Sequence, residues 1–247
     1  MQTYTFREHF IELKLRLLEI FCLFFIVFCF CYFYSDKIYN FLLRPLAQAG
    51  NKELRKVIYT GLAEAFFTYL KLAAFSSFTL IFPFIAFQVY RFVNPGLHPT
   101  EKKIAAFILS SSPLLFWGGG FFVFYYVMPK AWQFFLSFEN VNSSIPIVLE
   151  AKVSEYLSLV IQLILAFGLA FQLPVIVLIL YLFKIVSIES LKKKRRLSVV
   201  VNFIIAGILT PPDVISQLAL AIPLLLLYEI SILMCKLVEN RKTDVGH

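Results

Sequence analysis

Charge is what this chain of 247 residues has least of: Asp, Glu, Lys and Arg make up 15%. A soluble domain carries about 25%. So little charge cannot coat a surface facing water, and 60% of the residues are hydrophobic. A soluble globular enzyme is excluded on that ground. Disorder is excluded too, because 29 Phe and 12 Tyr are not a disordered composition. Cysteine and histidine are also scarce, at four and three residues. Cys22, Cys29, Cys31 and Cys235 sit in apolar surroundings without metal-ligand spacing, so no metal or cofactor is expected. A nucleophile–base pair, a His-Glu metal helix and a Gly-x-Ser-x-Gly elbow are all missing, which argues against an enzyme. No cleavable leader is evident at the amino end, where Glu8 and Glu12 interrupt the bases and no small-residue cleavage motif follows.

Long uncharged runs are what the chain has instead. They cover Ile20–Ser35, Leu72–Tyr90, Ile104–Met128, Tyr156–Phe183, Leu197–Pro212 and Val214–Tyr228. A helix needs about 20 apolar residues to cross a hydrocarbon core roughly 30 Å thick. The reading is an all-α membrane protein, one polytopic domain over 1–247 with six spans. The spans fall near 17–35, 70–92, 104–128, 155–183, 197–210 and 214–235, the fifth and sixth being short. The fourth run is long enough to require a tilt or a bend, and Pro174 is the expected bend. Thr210-Pro-Pro-Asp213 must be a turn, because two adjacent prolines lack backbone donors and Asp213 can cap the next helix. In the first outer connection, Ile38, Phe41 and Leu42 have helical spacing and predict a short interfacial helix. Asn140, Asn142, Ser143, Ser144 and Pro146 predict a turn in the second.

The formal net charge of +8 does not point to nucleic acid. Lys and Arg gather in the cytoplasmic loops of membrane proteins, and here fifteen of the 23 fall on the side that holds both termini, against seven opposite. Both termini are therefore expected in the cytoplasm.

Several polar residues stand where a membrane tolerates them poorly. Within the segment 5–18, Phe6, Phe10, Leu13 and Leu17 mark one helical face, and Glu8, Glu12 and Arg16 mark another. On spacing alone, Glu12 and Arg16 form an ordinary surface pair; the sharper reading has Glu12 face a cavity and receive a cation from a ligand. Glu101 follows Asn94-Pro-Gly-Leu-His-Pro-Thr and suits the positive end of the next helix. Glu155, Gln172, Asn202, Gln217 and Glu229 need partners at membrane depth. Gly118-Gly-Gly120 reads as close helix packing. A small-molecule secondary transporter using Glu155, Gln172 and Glu229 is the alternative function.

Five motifs in order carry a resemblance: His9-Phe-Ile-Glu12-Leu-Lys-Leu-Arg16-Leu; Pro45; Gln88-Val-Tyr-Arg-Phe92-Val-Asn-Pro95-Gly before Glu101; Ala166-Phe-Gly-Leu-Ala-Phe-Gln172-Leu-Pro174; and Leu209-Thr-Pro-Pro-Asp213-Val-Ile-Ser-Gln217 before Ala221-Ile-Pro223. The series resembles the TatC family, the multispanning receptors of the twin-arginine protein translocase, over nearly the whole chain. The resemblance implies six spans and cytoplasmic termini in a bacterial inner membrane. It also implies binding of twin-Arg signal peptides of folded cargo, export driven by the proton-motive force, single-span TatA-like and TatB-like partners, and self-association. By the same resemblance Glu12 and Glu101 hold the signal arginines, with Phe92 and Pro95 beside them. Gln172, Thr210 and Gln217 contact partner helices, and Pro45 and Asp213 serve folding and assembly. The chain departs from the family at Lys14, where Arg is usual, and at Gln172, often Glu.

Overall fold

The computed structural model describes residues 6–48, 57–96, 99–139, 150–210 and 214–244. Among them every regular element is helical. Helix α1 (Phe6–Phe33) continues without a break from the amphipathic segment into the first apolar run. Two short helices follow, α2 (Ser35–Leu42) and α3 (Arg44–Gln48), with Pro45 buried in the second. Then come α4 (Glu64–Val93), a 3-10 turn at Asn94–Gly96, and α5 (Pro99–Phe122). A π-helical segment, Val123–Val127, joins α5 to α6 (Met128–Leu136). Helices α7 (Val153–Ala170), α8 (Leu173–Leu182), α9 (Ile188–Lys193), α10 (Arg195–Leu209) and α11 (Val214–Asp244) complete the bundle.

Five helical stretches are long and apolar enough to cross a membrane: Phe10–Phe33, Glu64–Gly96, Lys102–Leu136, Val153–Leu182 and Gln217–Glu239. The fifth predicted span corresponds to α10, whose 15 residues rise only about 22 Å. The sixth is not short. Helix α11 runs for 31 residues, straight through Glu229. Glutamate is a good helix former, and here its carboxylate accepts from Arg195, at the start of α10, at 2.7 Å. The third span also outruns its prediction, since α6 carries the helix on to Leu136 and buries Met128, Ala131 and Trp132. The bend in the fourth run lies where proline predicts it: α7 stops at Ala170, and α8 restarts at Leu173 with Pro174 in its first turn, where a missing N–H costs nothing. The predicted turn around Asn140–Pro146 and the Pro211-Pro212-Asp213 turn lie outside the described residues.

Helices α5 and α7 form the centre of the bundle, and small residues let them approach. A Cβ on Gly119 would lie 2.6 Å from the Phe167 carbonyl oxygen, and one on Gly168 would lie 2.7 Å from the Phe116 ring. Gly118 faces open space, so the glycine run packs through Gly119 and Gly120 only. Phe116 and Phe167 are themselves fully buried there. At one end of the bundle, Glu64 ties two connections together. Its carboxylate accepts from the backbone of Thr60 (2.8 Å) and Gly61 (3.1 Å) and from the Ser154 hydroxyl (2.6 Å).

The two neighbouring glycines make opposite predictions. Gly119→Ala drives α5 and α7 apart and lowers stability by about 1–3 kcal/mol, the scale of overpacking. Gly118→Ala leaves it unchanged or slightly raised. Thermal unfolding of both variants in detergent checks this; equal behaviour would remove the close approach.

Candidate functional site

The amphipathic start of α1 is turned the opposite way from a simple apolar-face-inward helix. Phe10, Leu13 and Leu17 are exposed, at 64%, 37% and 56%. The polar face packs instead. Arg16 donates through Nε to Glu12 at 3.1 Å and pairs with it a second time through Nη2. Its remaining arm, Nη1, donates to Gln88 Oε1 of α4 at 3.2 Å. Gln88 is 2% exposed, and its Nε2 donates to Glu19. One amide therefore serves both an arginine and a glutamate of α1, using its acceptor and its donor in turn. The Arg16 and Glu12 side chains are 12% and 25% exposed, so the pair is largely withdrawn from solvent and screened less than a surface pair.

Antiparallel geometry then sets the neighbourhood of Glu12. Tyr39, just beyond α1, meets Tyr69 near the start of α4 at 6.0 Å, while Arg16 and Glu19 meet Gln88 near its end. One turn back along α1 reaches Glu12, and one turn forward along α4 reaches Phe92, on the same face as Gln88. Glu12 and Phe92 thus lie at the same level. Pro95 is exposed in the 3-10 turn that follows. A Cβ on Gly96 would meet the Phe183 ring at 3.1 Å, so this turn sits against the end of α8. Glu101 occupies the first turn of α5, at the same end of the bundle. Its side chain lies outside the described residues.

Other residues singled out from the sequence are elsewhere. Gln172, at the α7–α8 break, is 8% exposed and bonded within the chain: Ser112 Oγ donates to its Oε1 at 2.6 Å, and its Nε2 donates to the Ser112 carbonyl at 2.9 Å. Thr210 is buried and donates to the Ala206 carbonyl at 2.8 Å. Gln217 is half-buried and reaches across from α11 to the Phe203 carbonyl of α10 at 3.3 Å. Asp213 lies outside the described residues. The transporter trio does not converge. Glu155 pairs with Lys152 at 3.4 Å on an open surface, and Glu229 pairs with Arg195. Glu155 and Gln172 are 17 positions apart in the chain, about 26 Å along the helices.

Two residues of this network, Gln88 and Glu19, were not candidates from the sequence. The signal was present: Gln88 is a lone amide in the run Leu72–Tyr90, and Glu19 splits the apolar stretch that begins at Leu17.

Comparison with known proteins places the arrangement in a wider set. The profile of the Sec-independent protein translocase protein (TatC) family matches residues 8–223. The Sec-independent protein translocase protein TatC of Rickettsia prowazekii (strain Madrid E) is 61% identical over 243 residues, covering 98% of this chain and 97% of the relative. That of Magnetococcus marinus is 40% identical over 238 residues, covering 96% and 86%. A crystal structure of the twin arginine translocase receptor TatC in DDM superposes with a TM-score of 0.79 at 32% identity, covering 92% of this chain and 99% of the other.

If Gln88 fastens α1 to α4, Gln88→Leu frees the start of α1. Two hydrogen bonds to charged groups are lost, enough for about tenfold or faster amide exchange over residues 10–19. Hydrogen–deuterium exchange of the variant in nanodiscs checks it; unchanged protection there would show that α1 is held by something else.

Proposed function

The chain belongs to the TatC family of Sec-independent protein translocase proteins, and from that premise we propose that it is the receptor that grips the paired arginines of an incoming signal peptide with Glu12 and Glu101. The observation that carries this reading is the state of Glu12. Its carboxylate already holds a guanidinium, that of Arg16, through two nitrogens. A carboxylate oxygen, Oε1, that already accepts from two nitrogens of one guanidinium is chemically matched to another arginine, and a lysine ammonium does not present that pair of adjacent donors. A signal arginine competes with Arg16 for Glu12. Arg16 is still held by Gln88, and Glu19 on the far side of that amide is the nearest alternative carboxylate along α1. Glu101 takes the second arginine, and Phe92 and Pro95 wall the site.

The chain is a multi-pass membrane protein of the Tat translocase. The finer placement is six crossings in a bacterial inner membrane with both termini in the cytoplasm, and the count of basic residues supports it. Helices α2 and α3 lie at the outer surface, where the spread of Lys37, Phe41 and Arg44 suits an interface. TatA-like and TatB-like single-span partners and further copies of this chain complete the complex. Of Gln172, Thr210 and Gln217, Gln217 is the most open to a partner helix; Gln172 serves to bind the α7–α8 break to α5. Pro45 and Asp213 shape the outer connection and the hairpin turn. The receptor performs no covalent chemistry, and the proton-motive force drives the transport step. Helix α10, some 8 Å shorter than a roughly 30 Å hydrocarbon core, thins the bilayer locally.

Two experiments test this. A twin-Arg signal peptide cross-links to positions around Glu12 and Glu101, and a twin-Lys peptide does not. Glu12→Gln and Glu101→Gln each weaken binding by roughly 10- to 100-fold, the worth of hydrogen bonds between charged groups, with the fold retained. Equal cross-linking of both peptides would overturn the assignment. Separately, inserting one apolar turn into α10 lowers transport while leaving signal binding intact; transport at the normal rate would contradict the thinning.

A further inference from the structure

At the end of the bundle away from Glu12, an apolar cavity of about 410 Å³ opens between α2, α4 and α5. Phe41, Phe75, Leu80, Phe116, Phe121 and Phe124 line it. Leu80 and Phe121 are 57% and 59% exposed, so the cavity is open on its membrane side. From Phe116 to Phe124 it follows eight residues of helix, about 12 Å. That leaves a cross-section near 35 Å², roughly 6–7 Å across, against about 10 Å for the girth of an α-helix. That width is nearer to a hydrocarbon chain than to a whole transmembrane helix. Taking a methylene as close to one water in volume, about 30 Å³, the space holds on the order of a dozen.

The mouth of the cavity is cationic. Helix α2 passes into α3 through Leu43, which is itself in the right-handed helical region, so Lys37, Phe41 and Arg44 step by four and three along one face. Phe41 stacks on Phe124 (centroids 4.9 Å apart, planes within 8°) and forms the cavity wall. The Arg44 guanidinium sits over that same ring at 5.3 Å, and the Lys37 ammonium sits 5.3 Å from the Tyr34 ring. Both cations are exposed. The neighbouring carboxylate, Asp36, hydrogen-bonds Tyr69. Two positive groups flanking an aromatic that closes an acyl-sized groove match one class of molecule, an amphiphile with an anionic head.

We propose that this groove is a binding site for a single anionic phospholipid, one acyl chain lying between Phe41, Leu80 and Phe121 and its phosphate held by Lys37 and Arg44. The site is independent of Glu12 and of the signal peptide, so its fate does not depend on theirs.

Trp117 also lines the groove and provides the probe. The chain has two tryptophans, and Trp132→Phe leaves Trp117 as the only one. The full chain carrying that substitution is placed in phosphatidylcholine nanodiscs containing a small fraction of brominated phosphatidylglycerol or brominated phosphatidylcholine. Bromine on the acyl chain quenches Trp117 on contact. The expected result is half-quenching at a roughly five- to thirtyfold lower fraction of the anionic lipid, the scale of one or two basic contacts to a charged head. The double variant K37Q/R44Q abolishes that preference, and Leu80→Phe, which narrows the groove, weakens quenching by both lipids. Lys37, Arg44 and Leu80 are exposed, whereas Trp132, exchanged in every sample, is buried, and elution as an intact, helical protein confirms folding of each. Equal quenching by the two lipids, or a preference that survives K37Q/R44Q, would reduce the groove to ordinary bilayer contact and overturn the proposal. Quenching by neither lipid would show that protein covers the groove, and would overturn it as well.

Discussion

The buried amide of Gln88 is the constraint on which the functional end of the molecule depends. Helix α1 packs along α4, but mostly through apolar surface that does not by itself set its register. Its apolar length is exposed, with Phe21, Phe25, Ile26, Phe30 and Phe33 all open. In a bilayer such residues gain nothing by choosing protein over lipid. Polar bonds then decide the register, and Gln88 supplies them by accepting from Arg16 and donating to Glu19. The fixed Arg16 in turn orients Glu12. A carboxylate that would otherwise sweep through water is thus held beside the end of α4, level with Phe92.

The rest of the bundle is built to keep that end in place. Close contact of α5 and α7 at Gly119 and Gly168, with Phe116 and Phe167 buried there, gives a tightly packed core. The reciprocal Gln172–Ser112 bonds fasten the break in the fourth run to α5, whose first turn carries Glu101. Gly96 against Phe183 sets the turn between α4 and α5 onto α8. The proposed recognition site therefore sits on helix ends held by packing, with short connections between them, which suits a site that must hold two charges at a set spacing.

Much of this was legible in the residues, for identifiable reasons. Helices declare themselves in uncharged runs, and Pro174 marks its break because a missing donor has only one inexpensive place in a helix. The short α10 arm was legible because two prolines bound it. What failed to show were features that depend on partners distant in sequence. Glu229 was expected inside the sixth span, but its partner Arg195, 34 positions earlier, was not legible. The four-residue step from Glu12 to Arg16 gives the pair but not its orientation, since periodicity marks two faces without saying which one packs. Here the polar face packs, because its partner is an amide rather than an apolar surface. Likewise three consecutive glycines cannot reveal that Gly119 touches the neighbouring backbone while Gly118 faces nothing.

The central claim is that Glu12 holds Arg16 until a signal arginine takes its place. It is tested most directly by nitrogen NMR of the Arg16 side chain in nanodiscs, assigned with Arg16→Lys, before and after a twin-Arg peptide is added. Exchange of partners shifts the Arg16 Nε–H resonance as the peptide saturates the receptor, and a twin-Lys peptide leaves it in place. A receptor saturated with the twin-Arg peptide whose Arg16 resonance has not moved would contradict the account.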